Sequence, residues 1–130
     1  MEFELEAGSK NKITRKVAEE MTADNFGSGG VEVLATPVMV GFMENAALGA
    51  VDSHLPEGYA TVGYHLDIKH LSPTPVGMEV EVAAELVEVD DRQLTFEVKA
   101  KDESDIIGEG RHIRMVIEKE KFMEQAGQKT

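Results

Sequence analysis

TPVMVGFMENAALGAVDSHL, residues 36–55, has one ionisable side chain, Glu44, between Thr36 and Val51, and its apolar residues do not keep to a single stripe. Thr36-Pro37 has the form of a helix start, a threonine N-cap followed by proline at the first helical position, where no N–H is required. A helix that is apolar nearly all round is a buried one. Its length of about 20 residues also suits a membrane span, but Glu44, Asn45, Asp52 and His54 are costly side chains to place in lipid. The reading is a central helix of a soluble domain, over about residues 36–55, with the later chain wrapped around it.

Ahead of this helix, residues 3–6 and 12–17 are weak strand candidates, and 18–22 a turn of helix or a loop. Residues 24–30, DNFGSGG, form a flexible glycine-rich loop, read as a connector with a lid as the alternative. Residues 31–35 are a short extended lead-in. After the helix, Pro56-Glu57-Gly58 makes a turn and residues 59–71 alternate as a strand. One face carries Val62, Tyr64, Leu66, Ile68 and His70, the other Thr61, Gly63, His65, Asp67 and Lys69. SPTPVG, residues 72–77, breaks it. Residues 78–89 alternate again, with Met78, Val80, Val82, Ala84 and Leu86 inward and Glu79, Glu81 and Glu85 outward. Asp90-Asp91-Arg92 is a hairpin turn, and Leu94, Phe96, Val98 and Ala100 continue the inward face. A turn at 102–105 leads to a last strand, 106–118, where Gly108 and Gly110 mark a bend or a close approach. Residues 119–130 are a polar tail with a frayed helical turn.

The order is thus weak strands, one apolar helix, then four antiparallel strands: an α+β domain whose sheet curls around a helix. One sheet under-covers such a helix and leaves an edge strand free, so the chain is expected to self-associate, most simply as a two-fold dimer. At 130 residues and 42% hydrophobic content it suits a single domain, 1–130, with a real core. With no cysteine, disulfides, thiolate metal sites and cysteine nucleophiles are excluded. MEFELEAGSKNK has no apolar run of signal-peptide length, so a cytoplasmic protein is expected. The net charge of -12 disfavours nucleic acid or an anionic membrane as partner, and an aromatic content of 5% argues against base stacking. An anionic small molecule needs a local basic patch.

Glu44 is the sharpest chemical signal. A lone carboxylate in an apolar helix costs several kcal/mol unless paired, hydrogen-bonded or protonated. It is either a working base or acid, or a structural glutamate at a dimer seam bonded to main chain or to Asn45. Thr36 is explained by capping alone, although a helix N-terminus also suits an oxyanion or a thioester carbonyl. His70 points inward at the end of its strand, as a core residue or as a proton-transfer group. His54, His65 and His112 read as surface or interface residues. The spacings give no metal motif, no phosphate-binding loop and no GxSxG elbow.

The segments VLATPVMVGFMENAA, TVGYHLDIKHLSPTPVGMEVEVAAEL and IIGEGRHIRMVIEKEKF resemble the fluoroacetyl-CoA-thioesterase-like group of the hotdog superfamily, in one register over about residues 31–122. The ATxxMVxxxE start of the helix and the HxxPTPxGMxVxVxAEL segment carry the likeness. It implies a hotdog fold, a long central helix wrapped by a curved antiparallel sheet, and a homodimer or a dimer of dimers. By position, Thr36, Glu44 and His70 match the family's catalytic residues, and Gly63 and Arg114 match a glycine near the thioester carbonyl and an arginine near the active site. The implied reaction is hydrolysis of an acyl-CoA thioester to acid and CoA, with CoA as part of the substrate and no separate cofactor or metal. Thr36 would position or attack the thioester, Glu44 act as nucleophile or base, and His70 transfer the proton, with the two sides of a site able to come from different protomers. The alternatives are a non-catalytic acyl-CoA or small-ligand binding module and an enoyl-CoA hydratase-type enzyme, whose Asp-His pair has no counterpart in this sequence. CoA phosphates have Lys69, Arg111, Arg114, Lys119 and Lys121 as possible donors. The family's phenylalanine-rich lid is replaced by Gly27-Ser28-Gly29-Gly30 with only Phe26 aromatic, so fluoroacetyl specificity is not expected, and another short or medium acyl group, or a broader range of acyl groups, is.

Overall fold

A computed structural model describes residues 3–129; the ends of the expected domain at Met1, Glu2 and Thr130 lie outside the described residues. Five strands form one antiparallel sheet, β1 (Lys10–Lys16), β2 (Tyr59–His70), β3 (Glu79–Asp90), β4 (Gln93–Lys101) and β5 (Ile106–Glu118), in the order β1-β3-β4-β5-β2. A long helix, α2 (Thr36–Val51), lies on one face of it, preceded by the short α1 (Ala23–Phe26), and α3 (Lys119–Gly127) ends the chain. Residues 3–6, read as a weak strand, are irregular. The tail forms a nine-residue helix, its start tied by the Lys119 N–H to Gly58 O at 2.9 Å.

The inward alternation of β3 and β4 holds: Val80, Val82, Ala84, Leu86, Leu94, Phe96, Val98 and Ala100 are all buried. They meet a stripe of α2, Met39, Met43, Ala46, Ala47, Ala50 and Val51, at helical spacing. Within one chain the apolar helix therefore buries one stripe, while Val38, Val40, Phe42 and Leu48 are only partly covered. The helix packs mainly on β3, then on β1 and β4, with little on β2 and less on β5. β2 is thus an edge strand whose inner face is also thinly covered, with Leu66, opposite the inward His112, 43% exposed; the bulged Tyr64 beside it is 67% exposed.

Three details depart from the sequence reading. The helix stops at Val51 and a 3-10 turn, Asp52–His54, follows it, so the regular helix does not reach residue 55. Its N-cap is Ala35, with Thr36 the first helical residue, and no side chain caps the main chain. The glycine-rich loop is tied down: the N–H groups of Gly27, Ser28 and Gly29 converge on Ala23 O, and Asp24 N–H bonds to Val31 O. Gly27 ends α1 at φ 98°, a left-handed conformation that favours glycine.

The register of β2 against β5 shifts between Gly63 and His65, a β-bulge at Tyr64. A bulge adds one residue to one strand and reverses the facing of everything beyond it. Thr61 and Gly63 on one side of it, and Ile68 and His70 on the other, therefore share the helix-facing side of the sheet. Unbroken alternation assigns them to opposite faces.

Candidate active site

Thr36 and His70 meet at the N-terminus of α2. Thr36 Oγ1 lies 2.6 Å from His70 Nδ1, and His70 Nε2 is buried with no hydrogen-bond partner among the described residues. Freed from capping, the Thr36 hydroxyl is held by the imidazole. Burial pushes the His70 pKa below its ordinary 6.5, with the Ser72 main chain raising it by less, so the ring is neutral at pH 7. The first turn offers few amides to an oxyanion: Pro37 has none, and those of Val38 and Met39 bond to Ala35 O. The polar group at this helix end is thus chiefly the Thr36 hydroxyl.

Glu44 lies two turns further on, about 12 Å along the axis at 1.5 Å per residue. It faces Gly63, where an added Cβ would stand 2.5 Å from Glu44 Oε2 and 3.6 Å from His112 Cε1. Its carboxylate is half-buried, 38% exposed, and pairs with the buried Arg114 guanidinium, Nη1 to Oε2 at 3.8 Å. The expected lone charge in an apolar helix is thus an ion pair at the helix rim. Arg114 Nε donates to Thr61 Oγ1 at 2.8 Å and Nη2 to Thr61 O at 3.0 Å.

His112, expected at the surface or an interface, is fully buried inside this cluster. Arg114 can only donate, so His112 Nε2 accepts from Nη1 at 3.1 Å and the Nδ1–H donates to His65 O at 2.9 Å. That fixes a neutral tautomer. Burial lowers its pKa, the His65 carbonyl opposes this, and the nearby Arg114 charge lowers it further. The signal in the sequence was parity: on β5, Gly108, Gly110, His112, Arg114 and Val116 share one face, and both glycines and Arg114 had already been singled out.

Within one chain, then, the five expected site residues fall into two groups, Thr36 with His70 and Glu44 with Gly63 and Arg114. The five cations considered for CoA phosphates do not share a face. Arg114 is inside, Arg111 pairs with Glu97 at 3.6 Å, Lys121 pairs with Glu118 at 3.4 Å, Lys69 is exposed on β2, and Lys119 starts α3. Among the described residues, no group of three or more His, Asp or Glu is placed to hold a metal ion. No helix is long and apolar enough to cross a membrane among them.

Beside the Thr36–His70 pair is a cavity of about 350 Å³, lined by Ser28, Gly29, Val31, Leu34 and Leu71 as well as the pair itself. That is the lower end of the range for small-molecule pockets. Phe26, the single aromatic of the loop, is 54% exposed and does not line it. A larger hollow of about 700 Å³ sits on the outer face of the sheet, where Lys10 and Arg111 are already paired with Glu85 and Glu97. The smaller cavity is the one next to the chemistry.

The model of the fluoroacetyl-CoA-specific thioesterase family matches residues 17–120. A fluoroacetyl-CoA thioesterase of Streptantibioticus cattleyicolor is 43% identical over 99 residues, covering 76% of this chain and 71% of that protein. A solved structure of the fluoroacetyl-CoA thioesterase superposes with a TM-score of 0.91 at 34% identity over 98% of each chain. A thioesterase superfamily member from Thermus thermophilus gives 0.87 at 29% identity, covering 95% of this chain and 91% of that one. A hot-dog-like protein from Thermanaerovibrio acidaminovorans gives 0.87 at 22% identity, covering 95% and 91%, and speaks for the fold alone.

Proposed function

Because the chain belongs to the fluoroacetyl-CoA-specific thioesterase family of hotdog-fold proteins, we propose that it hydrolyses a short or medium acyl-CoA thioester. Water adds to the carbonyl carbon, the C–S bond breaks, and the products are a carboxylic acid and CoA thiol. The observation that carries this reading is the Thr36 Oγ1–His70 Nδ1 contact of 2.6 Å beside the 350 Å³ cavity. A neutral imidazole on a hydroxyl is a pair that can hold a thioester carbonyl and exchange a proton with it. Glu44, held by Arg114, is the carboxylate that activates the attacking water.

The two groups are about 12 Å apart along α2, too far to act on one carbonyl from a single chain. A homodimer brings them together. Pairing the exposed β2 edges about a two-fold axis sets two α2 helices side by side in opposite directions, so the Thr36 end of one passes the Glu44 region of the other. The unpaired β2 edge and the exposed Tyr64 and Leu66 support that assembly.

The acyl group is read as other than fluoroacetyl, because the loop ahead of α2 gives the cavity Ser28 and Gly29 and holds Phe26 outside it. The test is CoA release from a panel running from acetyl- to palmitoyl-CoA with fluoroacetyl-CoA included. Turnover that peaks at a short or medium chain and exceeds that of fluoroacetyl-CoA is expected. Binding of these thioesters without CoA release would replace the enzyme with a binding module.

A further inference from the structure

The contacts that fix Arg114 begin at the far end of α2. Asp52 is the C-cap residue of that helix, where the dipole presents its negative end and a carboxylate is disfavoured. Both of its oxygens are nevertheless engaged by one residue: Oδ2 accepts the Thr61 N–H at 3.2 Å and Oδ1 the Thr61 hydroxyl at 2.5 Å. With its proton committed to Asp52, Thr61 Oγ1 has lone pairs free for Arg114 Nε, and the Thr61 carbonyl takes Nη2. Nε and Nη2 are the two donors of one edge of the guanidinium, so a single residue clamps that edge and fixes the plane. Nη1 is left to face His112 and Glu44. The clamp is dry, with Thr61 6% and Arg114 5% exposed.

We infer that Asp52 and Thr61 are positioning residues for the thioester hydrolysis, clamping the Arg114 guanidinium so that its remaining nitrogen orients the Glu44 carboxylate. The inference rests on the role proposed above for Glu44. Without the clamp Arg114 can rotate, and the half-exposed Glu44 loses the charge that aims it. Thr61 and Asp52 are outside the cavity beside Thr36, so their loss bears on kcat rather than on KM.

The test compares wild type with Thr61→Val, which keeps the shape and removes the hydroxyl, with Thr61→Ser, and with Asp52→Asn. Thr61→Val is expected to lose about tenfold or more in kcat at a KM within about twofold, since a misplacement of about 1 Å can cost as much as ~10²-fold. Thr61→Ser is expected to restore at least half of the rate, and Asp52→Asn to fall in between. A second readout needs no turnover: in ¹⁵N spectra the Arg114 Nε–H should exchange slowly with water in wild type and quickly in Thr61→Val. If wild type releases CoA while Thr61→Val and Asp52→Asn match it, or if Nε–H protection survives Thr61→Val, the clamp is overturned and the thioesterase stands. If wild type releases no CoA from any thioester, the function itself falls and the role of the clamp in it falls too.

Discussion

His70 is kept neutral by burial where it meets the Thr36 hydroxyl, and His112 is kept neutral by burial and by Arg114. Two consequences follow from the direction of these shifts. His70 accepts a proton only when neutral, so its contribution to the acid limb of kcat lies below the 6.5 of an ordinary histidine; a His70-dependent limb above that value would contradict the assignment. Between the lowered values and 6.5 the unfolded chain binds more protons than the folded one. Stability therefore falls as pH is lowered through that window, and these two groups contribute no pH dependence above it. Thermal melts from pH 7 to pH 5, with His112→Gln flattening the slope, check the second. Glu44→Gln keeps the shape of the side chain and removes the base, with an expected loss of about 10²- to 10⁴-fold in CoA release. At this scale residue type and position singled out Thr36, Glu44 and His70, and the family resemblance added Arg114; the structure places Thr36 against His70 and Glu44 against Arg114. The sequence reading missed His112, whose parity with Gly108, Gly110 and Arg114 on β5 places it inward.

β2 explains what periodicity could not show. Alternation along residues 59–71 grouped His70 with Tyr64 and put Gly63 on the opposite face, but the bulge at Tyr64 turns both Gly63 and His70 toward α2. A bulge is one extra residue, and an apolar–polar pattern passes through it without a mark. By contrast, the inward faces of β3 and β4, the 106–118 span of β5 and the hairpin at Asp91 were all legible: each has one buried face, and the register shift of β3 against β4 falls after Leu86, the last inward residue read on β3. The glycines separate activity from folding. A Cβ at Gly63 meets the flexible end of Glu44, which can move aside. Gly63→Ala should therefore fold as wild type and lose CoA release by about tenfold or more as that carboxylate is displaced. A Cβ at Gly110 meets Asp67 O and the Ile68 main chain, which cannot move aside. Gly110→Ala is expected to cost about 1–3 kcal/mol of stability, read as a lower denaturant midpoint. The opposite pattern would place the functional surface elsewhere.

At the scale of the molecule, the helix that reads as buried all round is covered on one stripe by its own sheet, and β2 is both an edge and thinly covered within. The half-covered apolar residues of α2, Val38, Val40, Phe42 and Leu48, are the surface that the proposed dimer would bury. If β2 edges pair, Tyr64→Asp with Leu66→Asp should give a monomer by sedimentation that releases no CoA, because a lone protomer holds its two polar groups too far apart to act on one carbonyl. The most direct measurement mixes two inactive proteins. Thr36→Ala and Glu44→Gln, each without CoA release on its own, are unfolded together in equal amounts, refolded and assayed on the preferred acyl-CoA. Half of the dimers are then mixed, and each holds one site with both groups intact. The account predicts recovery of about a quarter of the wild-type rate. A mixture as inactive as its parts, or a parent that turns over at the wild-type rate, would contradict it.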